Sequence, residues 1–487
     1  MLKRIKNILT KNWLFLILLI IGIFLRLYRL EEFITFLGDQ GRDAIVIKRI
    51  ITFEHFPALG PVSSVGQVFL GPFFYYLMAP FLALFRLNPV GLAFGSAFYS
   101  TIGIIFAYFI LKKIDQKTAN IFLVLSTFSW ILIHNARFSW NPNLLSFFSF
   151  FTLYFFSLFF EKNLFFPFLA GMFFSFSTQL HYLGFLLAPT LILFFLMNYK
   201  KILKQLSLFI KKIISFLIGF LTFYLPLILF DLKHQFLNTK NFLNLFTGEG
   251  IIKSASFYQR FQETLTNFFK FTFNLKINYW LSFIFFVLLF FYFLKKNFFH
   301  KKPLFQLLFL SFFVFILSFS ALNSFRYYHY YNTIYLNFFV ILAILFADTF
   351  LINLLTKIFV FVFLIFFINQ NRLNYPFRHP QGNFQTKIAQ KIAQSIIDNN
   401  PKIPYQIAPS PLFETDDAIR YYLEIMNKKP LDKESTELWI EFYLLCYKEK
   451  CDILKENQWQ LSFIKNKKIA KIWKVDRVKI YKIVHGK

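Results

Sequence analysis

The residues best suited to chemistry in this sequence form one short polar cluster, GDQGRDA, which begins at Gly38, about nine residues beyond the first apolar segment. A helix starting there would place Asp39 and Asp43 on one face, with Arg42 beside them. In one interpretation, Asp39 caps an interfacial helix over 39–53 and pairs with Arg42. In the other, a carboxylate at the membrane–water boundary abstracts a proton or binds a metal ion.

Four more polar candidates lie in turns between apolar segments: Arg137, Asn141, His181 and Arg326. The two arginines could neutralise a phosphate, but at such positions they also anchor helices at a membrane interface. His181 lies in a tight turn, where either a structural or a catalytic role is open. The sequence contains no nucleotide-binding phosphate loop, dinucleotide glycine motif, HExxH motif or nucleophile elbow.

The composition indicates which kind of element must position these residues. The chain has 487 residues, of which 57% are hydrophobic and only 16% are charged, and its mean hydropathy is +0.53. A soluble domain is typically about 25% charged, so we expect an integral membrane protein. The formal net charge of +29 is explained by basic cytoplasmic loops and a general composition bias, and nucleic acid is not an expected partner.

The number of membrane crossings depends on how residues 71–87 are placed. This segment is apolar but short, and Pro72 and Pro80 interrupt it. If it does not cross, the lysine-rich loops fall on the same side as the basic N-terminal residues 1–6, as the positive-inside rule requires. We therefore predict eleven spans in the cytoplasmic membrane, with the N-terminus inside. The predicted spans are 13–25, 90–111, 118–134, 143–160, 164–180, 183–197, 213–230, 279–294, 303–322, 333–350 and 354–368.

Residues 370–487 differ in composition from everything before them. Charged residues and prolines return, and no segment is apolar for long enough to span. Helical patterns at 384–399 and 415–427 alternate with strand patterns near 404–408, 438–445, 460–465, 469–475 and 478–484. The chain is thus predicted to be an all-α polytopic membrane protein, residues 1–369, with interfacial helices and a small soluble α/β domain, residues 370–487, outside. Whether Cys446 and Cys451 form a disulfide stays open.

Several motifs together resemble a known superfamily. After one span come GDQGRDA, FPALGPVSSVG and GPFFYYLMAP, and then NARFSWNPN, QLHY and FDLKHQFLNT. This order is similar to that of bacterial GT-C membrane glycosyltransferases, the class of protein O-mannosyltransferases and lipid A aminoarabinose transferases, over roughly residues 10–350. The sequence departs from the protein mannosyltransferases at Gln40, where a second acid is usual.

The resemblance implies transfer of a sugar from a polyprenyl-phosphate donor to a lipid, glycan or protein acceptor on the outer face of the membrane. It implies that Asp39 is the general base. The phosphate and the sugar would be contacted by residues among Arg42, Asp43, Arg137, Asn141, His181 and Arg326. Because Gln40 replaces the second acid, no metal site is expected, although a divalent cation is left open, with Glu54 and His181 as conceivable ligands.

Two other classes of function share many of these features. A transporter or flippase of lipid-linked saccharides would have the same spans but polar residues along its bundle. A non-catalytic scaffold that displays residues 370–487 would not need Asp39 at all. Loss of function on substitution of Asp39 separates the transferase from both.

Overall fold

The computed structural model describes residues 12–63, 66–247, 256–296, 302–452, 458–463 and 466–486. The basic N-terminal residues 1–6 and Lys301, on which the orientation argument partly depends, lie outside the described residues. Helices form most of the chain up to Arg372, and a mixed α/β unit follows. The helices of this first part are α1 (Trp13–Leu27), α2 (Leu30–Phe33), α3 (Gly38–Ile51), α4 (Phe73–Leu84), α5 (Val90–Ile114), α6 (Gln116–Phe128), α7 (Trp130–Ala136), α8 (Leu145–Ser157), α9 (Phe165–Leu180), α10 (Ala188–Met197), α11 (Tyr199–Lys204), α12 (Leu206–Lys233), α13 (Leu237–Thr247), α14 (Phe257–Phe273), α15 (Tyr279–Lys296), α16 (Pro303–Ala321), α17 (Tyr335–Thr349) and α18 (Leu354–Arg372).

Apolar helices are confirmed, but the count of eleven spans is not. Among the described residues, five helices are long and apolar enough to cross a membrane: α5, α12, α15, α16 and α18. The predicted span 118–134 is two helices, α6 and α7, that meet at a bend of 60° and would make a sixth crossing if taken as one. The bend arises at Ser129, whose backbone is extended. Its side chain caps the second helix by accepting a hydrogen bond from the backbone N–H of Leu132. Other predicted spans correspond to apolar helices of only 10–17 residues, among them α1, α9 and α17.

Residues 71–87 form a helix too short to cross by itself. Helix α4 has 12 residues, so it is about 18 Å long, against about 30 Å for the hydrocarbon core of a bilayer. Met78 and Leu82 are completely buried, in a core that they share with α3 and with the C-terminal domain. The segment therefore packs against α3 and the C-terminal domain.

Three 3₁₀ turns interrupt the helices where the candidate residues lie. They span Asn141–Leu144, Tyr182–Leu187 and Tyr328–Thr333. Asn332 in the third turn donates to the carbonyl of Pro142 in the first, at 2.8 Å. This hydrogen bond joins two segments 190 residues apart, so the turns form one packed layer rather than independent loops.

The C-terminal domain contains a four-stranded mixed sheet in the order β1-β2-β4-β3. Strands β1 and β2 are parallel, and the two other pairings are antiparallel. The elements of this domain are α19 (Gln385–Asp398), β1 (Tyr405–Ser410), α20 (Asp417–Ile425), β2 (Glu441–Cys446), β3 (Lys467–Val475) and β4 (Val478–His485). Four of the five predicted strands and both predicted helices are present, and a disulfide joins Cys446 and Cys451.

The strand predicted near 460–465 is wrong. Residues Trp459–Phe463 form a 3₁₀ turn, and 464–465 lie outside the described residues. The turn is held by a tertiary contact, because the indole N–H of Trp439 donates to the carbonyl of Gln460 at 3.0 Å. A strand pattern of a few residues cannot anticipate such a contact.

Candidate active site

Helix α3 carries the polar cluster and begins where the sequence predicts. The backbone N–H of Leu37, at the N-cap, donates to the side chain of Gln40 at 3.2 Å. Asp39 is therefore not the cap; it lies in the first turn, where a carboxylate is stabilised by the positive end of the helix. Ala44 and Ile47 of the same helix are completely buried and fix it in place, whereas the side chain of Asp39 in the first turn stays accessible.

Arg42 bridges both acids of the cluster. Its Nη1 lies 2.9 Å from Oδ1 of Asp39, and its Nε and Nη2 lie 3.0 and 2.9 Å from Oδ1 of Asp43. The two acids differ in environment, since the Asp39 side chain is 46% exposed and that of Asp43 only 1%. The pairing predicted for Asp39 and Arg42 is confirmed, and the geometry gives the acids different roles: one faces solvent and the other anchors the arginine.

Burial changes the acidity of the inner carboxyl. The loss of hydration raises the pKa of Asp43 to about 6, and the charge of Arg42 only partly opposes this shift. Tyr75 of α4 lies next to the pair and has its own pKa raised, first by burial and then by Asp43. The Oδ1 atom of Asp43 accepts two hydrogen bonds from Arg42 and so holds the guanidinium in place.

Asp39 lines a cavity of about 170 Å³, to which the 3₁₀ turns Asn141–Leu144 and Tyr328–Thr333 also contribute residues. The indole N–H of Trp140 donates to Oδ2 of Asp39 at 3.1 Å, so each carboxylate oxygen accepts one hydrogen bond. Other walls of this cavity are formed by Asn141, His181 and His329. We call it the polar cavity. Asn141 is fixed there, because its amide donates to the carbonyl of Leu180 at 2.6 Å.

The two histidines of the polar cavity are neutral. Burial lowers the pKa of His181 to about 3, with a further contribution from His329, and burial lowers the pKa of His329 to about 3. Nδ1 of His181 accepts from the backbone N–H of Leu183 at 3.2 Å. The rings of Trp140 and His329 lie with centroids 4.5 Å apart. Neutral rings around one carboxylate and one guanidinium suit a ligand that combines hydroxyl groups with an anion.

Three predicted site residues do not line the polar cavity: Asp43, which is buried against Arg42, and the two arginines Arg137 and Arg326. Arg137 is buried and donates to the backbone carbonyls of Leu25, Arg26 and Tyr28, at 2.9 to 3.1 Å. It therefore holds the end of α1. Arg326 is also buried, with Nη2 directed at the carbonyls of two residues near the end of α16, and neither arginine lines the polar cavity.

An apolar cavity adjoins the polar one. Its volume is about 360 Å³, and it lies between α12 and α13, with Leu227, Phe236 and Phe242 among its walls. The segment 66–70 contributes to both cavities, because Leu70 lines the polar one and Val68 the apolar one. The arrangement suits an amphipathic ligand with a polar head and an apolar chain.

The C-terminal domain packs directly on α3. A Cβ atom built on Gly41 would lie 2.4 Å from the backbone nitrogen of Ala418 in α20. At the far end of α3, Arg49 forms a double hydrogen bond with the buried Glu424, at 2.8 and 3.0 Å, and Lys48 approaches the same carboxylate at 3.4 Å. Helix α20 thus fixes the position of α3, the helix that carries Asp39, through contacts at both ends of α3.

No group of three or more His, Cys, Asp or Glu side chains lies close enough to bind a metal ion in the described part of the chain. Glu54, one conceivable ligand, pairs with Lys48 at 2.5 Å and does not line the polar cavity. His181 does line it, together with Asp39 and His329.

Comparison with known proteins supports the resemblance found in the motifs. The family model of dolichyl-phosphate-mannose-protein mannosyltransferase matches residues 70–226. A search of curated proteins finds no match. Two solved structures of ArnT from Cupriavidus metallidurans align over 97% of this chain. The apo state has a TM-score of 0.62 at 10% identity and 98% coverage of that chain; the undecaprenyl phosphate complex has 0.57, 9% and 97%.

A third structure is more distant. It is the archaeal oligosaccharyltransferase AglB from Archaeoglobus fulgidus, in complex with an inhibitory peptide and a dolichol-phosphate. It aligns with 87% of this chain and 64% of its own length, with a TM-score of 0.52 and 13% identity. The family match and the shared fold together confirm the resemblance to GT-C membrane glycosyltransferases.

Trp140 and His329 are the site residues that sequence reasoning missed. Trp140 lies in the NARFSWNPN motif, directly before Asn141, and His329 lies three residues after the candidate Arg326. Aromatic residues near a membrane boundary are typical of interfacial belts, so their types alone gave no reason to select them. The available signal was their closeness in sequence to the polar candidates Asn141 and Arg326.

Proposed function

We propose that this protein transfers a sugar from a polyprenyl-phosphate donor to an acceptor on the outer face of the cytoplasmic membrane. One observation carries the proposal: a half-exposed carboxylate, Asp39, and a guanidinium, Arg42, face the same small cavity beside an apolar one. The amphipathic pair of cavities matches the chemistry of a sugar joined through phosphate to a long apolar chain.

The reaction assigns a distinct task to each group. An acceptor hydroxyl attacks the anomeric carbon of the sugar, the bond from that carbon to the phosphate oxygen breaks, and the polyprenyl phosphate leaves with the bonding electrons. The hydroxyl proton passes to Asp39 as general base. Arg42 stabilises the charge of the leaving phosphate, in a geometry that Asp43 maintains from behind.

The ring-lined wall of the polar cavity would receive the sugar. Asn141 and His181 provide polar atoms, and Trp140 and His329 provide flat faces. The polyprenyl chain would lie in the apolar cavity between α12 and α13. Arg137 and Arg326, whose guanidinium groups are directed at backbone carbonyls, have no part in this proposal.

The proposed orientation places the N-terminus in the cytoplasm and residues 370–487 outside. The disulfide of Cys446 and Cys451 supports this orientation, because such bonds persist in oxidising compartments. A Lys402→Cys variant, at an exposed position, tests it in intact cells. Labelling by a membrane-impermeant maleimide is expected; labelling only after the cells are broken would reverse the orientation.

The reaction is tested with purified protein in lipid, labelled polyprenyl-phosphate sugars and a cell-envelope extract. The informative variant is Asp39→Asn, which keeps the size of the side chain and removes the base. Glu54→Gln is the matched control, since it removes an exposed carboxylate just beyond α3 that does not line the polar cavity. Transfer by wild type and the control but not by Asp39→Asn is expected. Donor binding without any transfer would favour the transporter or the scaffold.

A further inference from the structure

The largest cavities of the described chain include one that the proposed reaction does not use. Its volume is about 690 Å³, several times that of the polar cavity, and it lies between α19, the start of α20 and the β3–β4 turn. Phe36 and Leu37, which lead into α3, close one side. This volume is in the range of cavities that hold small organic ligands. We call it the domain cavity.

One face of α19 gives the domain cavity its chemical character. Phe384, at the N-cap of the helix, and Ile388 and Ile392, one and two turns further, line it, so a continuous apolar stripe faces inward. Lys387 and Lys391, also four residues apart, flank the stripe. The same helix therefore offers an apolar floor and a cationic edge.

The rim of the domain cavity carries more positive than negative charge. Arg477, in the turn between β3 and β4, lines the cavity together with Lys387 and Lys391, and Asp476 is the acidic residue of the lining. Lys387 is paired with Glu31 at 3.1 Å. No carboxylate of the described residues lies within ion-pair distance of Lys391 or Arg477. An anion bound at the rim would neutralise the positive charges of Lys391 and Arg477.

The domain cavity lies close to the end of the first apolar helix. The guanidinium of Arg29, two residues beyond α1, donates to the carbonyls of His379 and Pro380, both at 3.0 Å. The backbone N–H of Phe384 donates to the carbonyl of Glu32 at 3.1 Å. The wall of the cavity is thus tied to residues that directly follow α1, the first apolar helix of the described chain.

We propose that the domain cavity binds a phosphate-bearing lipid of the outer leaflet. The phosphate lies between Lys391 and Arg477, and the upper part of an acyl chain lies on Phe384 and Ile388. An apolar floor, two rim cations without an ion-pair partner among the described residues, and proximity to the end of α1, the first predicted span, all match this one class of ligand. The inference rests on the exterior placement of the C-terminal domain and is independent of the transfer reaction.

The test compares lipid binding by the purified full-length chain with two double variants. Phosphatidylglycerol and phosphatidylcholine are offered separately, and bound lipid is counted by native mass spectrometry. Lys391→Gln with Arg477→Gln removes the rim charges, and Lys402→Gln with Lys468→Gln removes two exposed charges outside the cavity. A basic residue near an anionic lipid surface contributes about a factor of five, so a roughly 30-fold weaker affinity for phosphatidylglycerol is expected in the first variant only.

A second readout locates the lipid. A phosphatidylglycerol with a photoreactive group on its acyl chain should label the peptide that contains Ile388, and the rim variant should lose this label. Equal affinity for the two lipids, or equal losses in both double variants, would overturn the proposal. Displacement by inorganic phosphate at concentrations that match the lipid would show a plain anion site and would also overturn it. Thermal unfolding of each variant confirms that it is folded.

Discussion

The contact between Gly41 and α20 allows a quantitative test of how the C-terminal domain serves the site. In Gly41→Ala, the new Cβ would lie 2.4 Å from the backbone nitrogen of Ala418 and 2.5 Å from the carbonyl carbon of Asp417. Ordinary contact begins near 3.4 Å, so one helix must retreat by about 1 Å. Both atoms are backbone, and no side chain can move aside to relieve the overlap.

The energetic and catalytic effects of Gly41→Ala differ in size. Overpacking costs about 1–3 kcal/mol, and the higher helix propensity of alanine returns about 0.5–1 kcal/mol. We expect a net loss of about 1–2 kcal/mol in stability. The effect on transfer is larger, because a displacement of about 1 Å in a catalytic group can cost about 100-fold in rate, and the 3.1 Å hydrogen bond from Trp140 to Asp39 would be broken.

Two measurements on the same samples test this reasoning. The midpoint of thermal unfolding should fall slightly, and sugar transfer should fall by about 100-fold at saturating donor. Gly22→Ala in α1 is the matched control, because its new Cβ would come no closer than 3.5 Å to any neighbour. Unchanged transfer in Gly41→Ala would refute the idea that α20 fixes the position of the base.

Three further predictions concern single side chains. Trp140→Phe removes the N–H that donates to the base carboxylate and should lower kcat about tenfold, whereas Trp459→Phe, in the C-terminal domain, should not. The raised pKa of Asp43 means that its proton stabilises the folded state at low pH, and this contribution is lost as pH rises from about 4 through 6. Relative to Asp43→Asn, the wild type should therefore lose up to about 3 kcal/mol of unfolding free energy over that range, measured by denaturation at each pH. Arg137→Lys and Arg326→Lys should lower thermal stability and leave the Kd for the lipid donor within about threefold, since their hydrogen bonds go to the protein backbone.

The local features of the site were predictable because they depend on neighbouring residues. The sequence predicts helix α3 over 39–53, and the helix spans Gly38–Ile51. This prediction is possible because the polar start and the apolar stripe of the helix both depend on residues close together in the sequence. The candidates Asp39, Arg42, Asn141 and His181 do line one cavity. Their assignment to turns at one side of the membrane was enough to bring them together.

The features that were missed depend on distant partners. Arg137 and Arg326 were selected for their charge, but their hydrogen bonds go to carbonyls that only tertiary packing brings near. Hydropathy counts apolar residues, so it cannot detect the extended Ser129 that divides the predicted span 118–134, or the 3₁₀ turn Asn141–Leu144 at the start of the predicted span 143–160. The tight contact of Gly41 requires knowledge of a helix that begins at Asp417.

The central claim, that Asp39 is the base of a glycosyl transfer, is tested most directly by single-turnover transfer of labelled sugar from a saturating polyprenyl-phosphate donor. Asp39→Asn should reduce the rate by orders of magnitude while the donor stays bound, because a carboxamide cannot accept the hydroxyl proton. The Glu54→Gln control should keep the wild-type rate. A wild-type rate in Asp39→Asn would contradict the claim that Asp39 is the base, although it would leave the protein a glycosyltransferase.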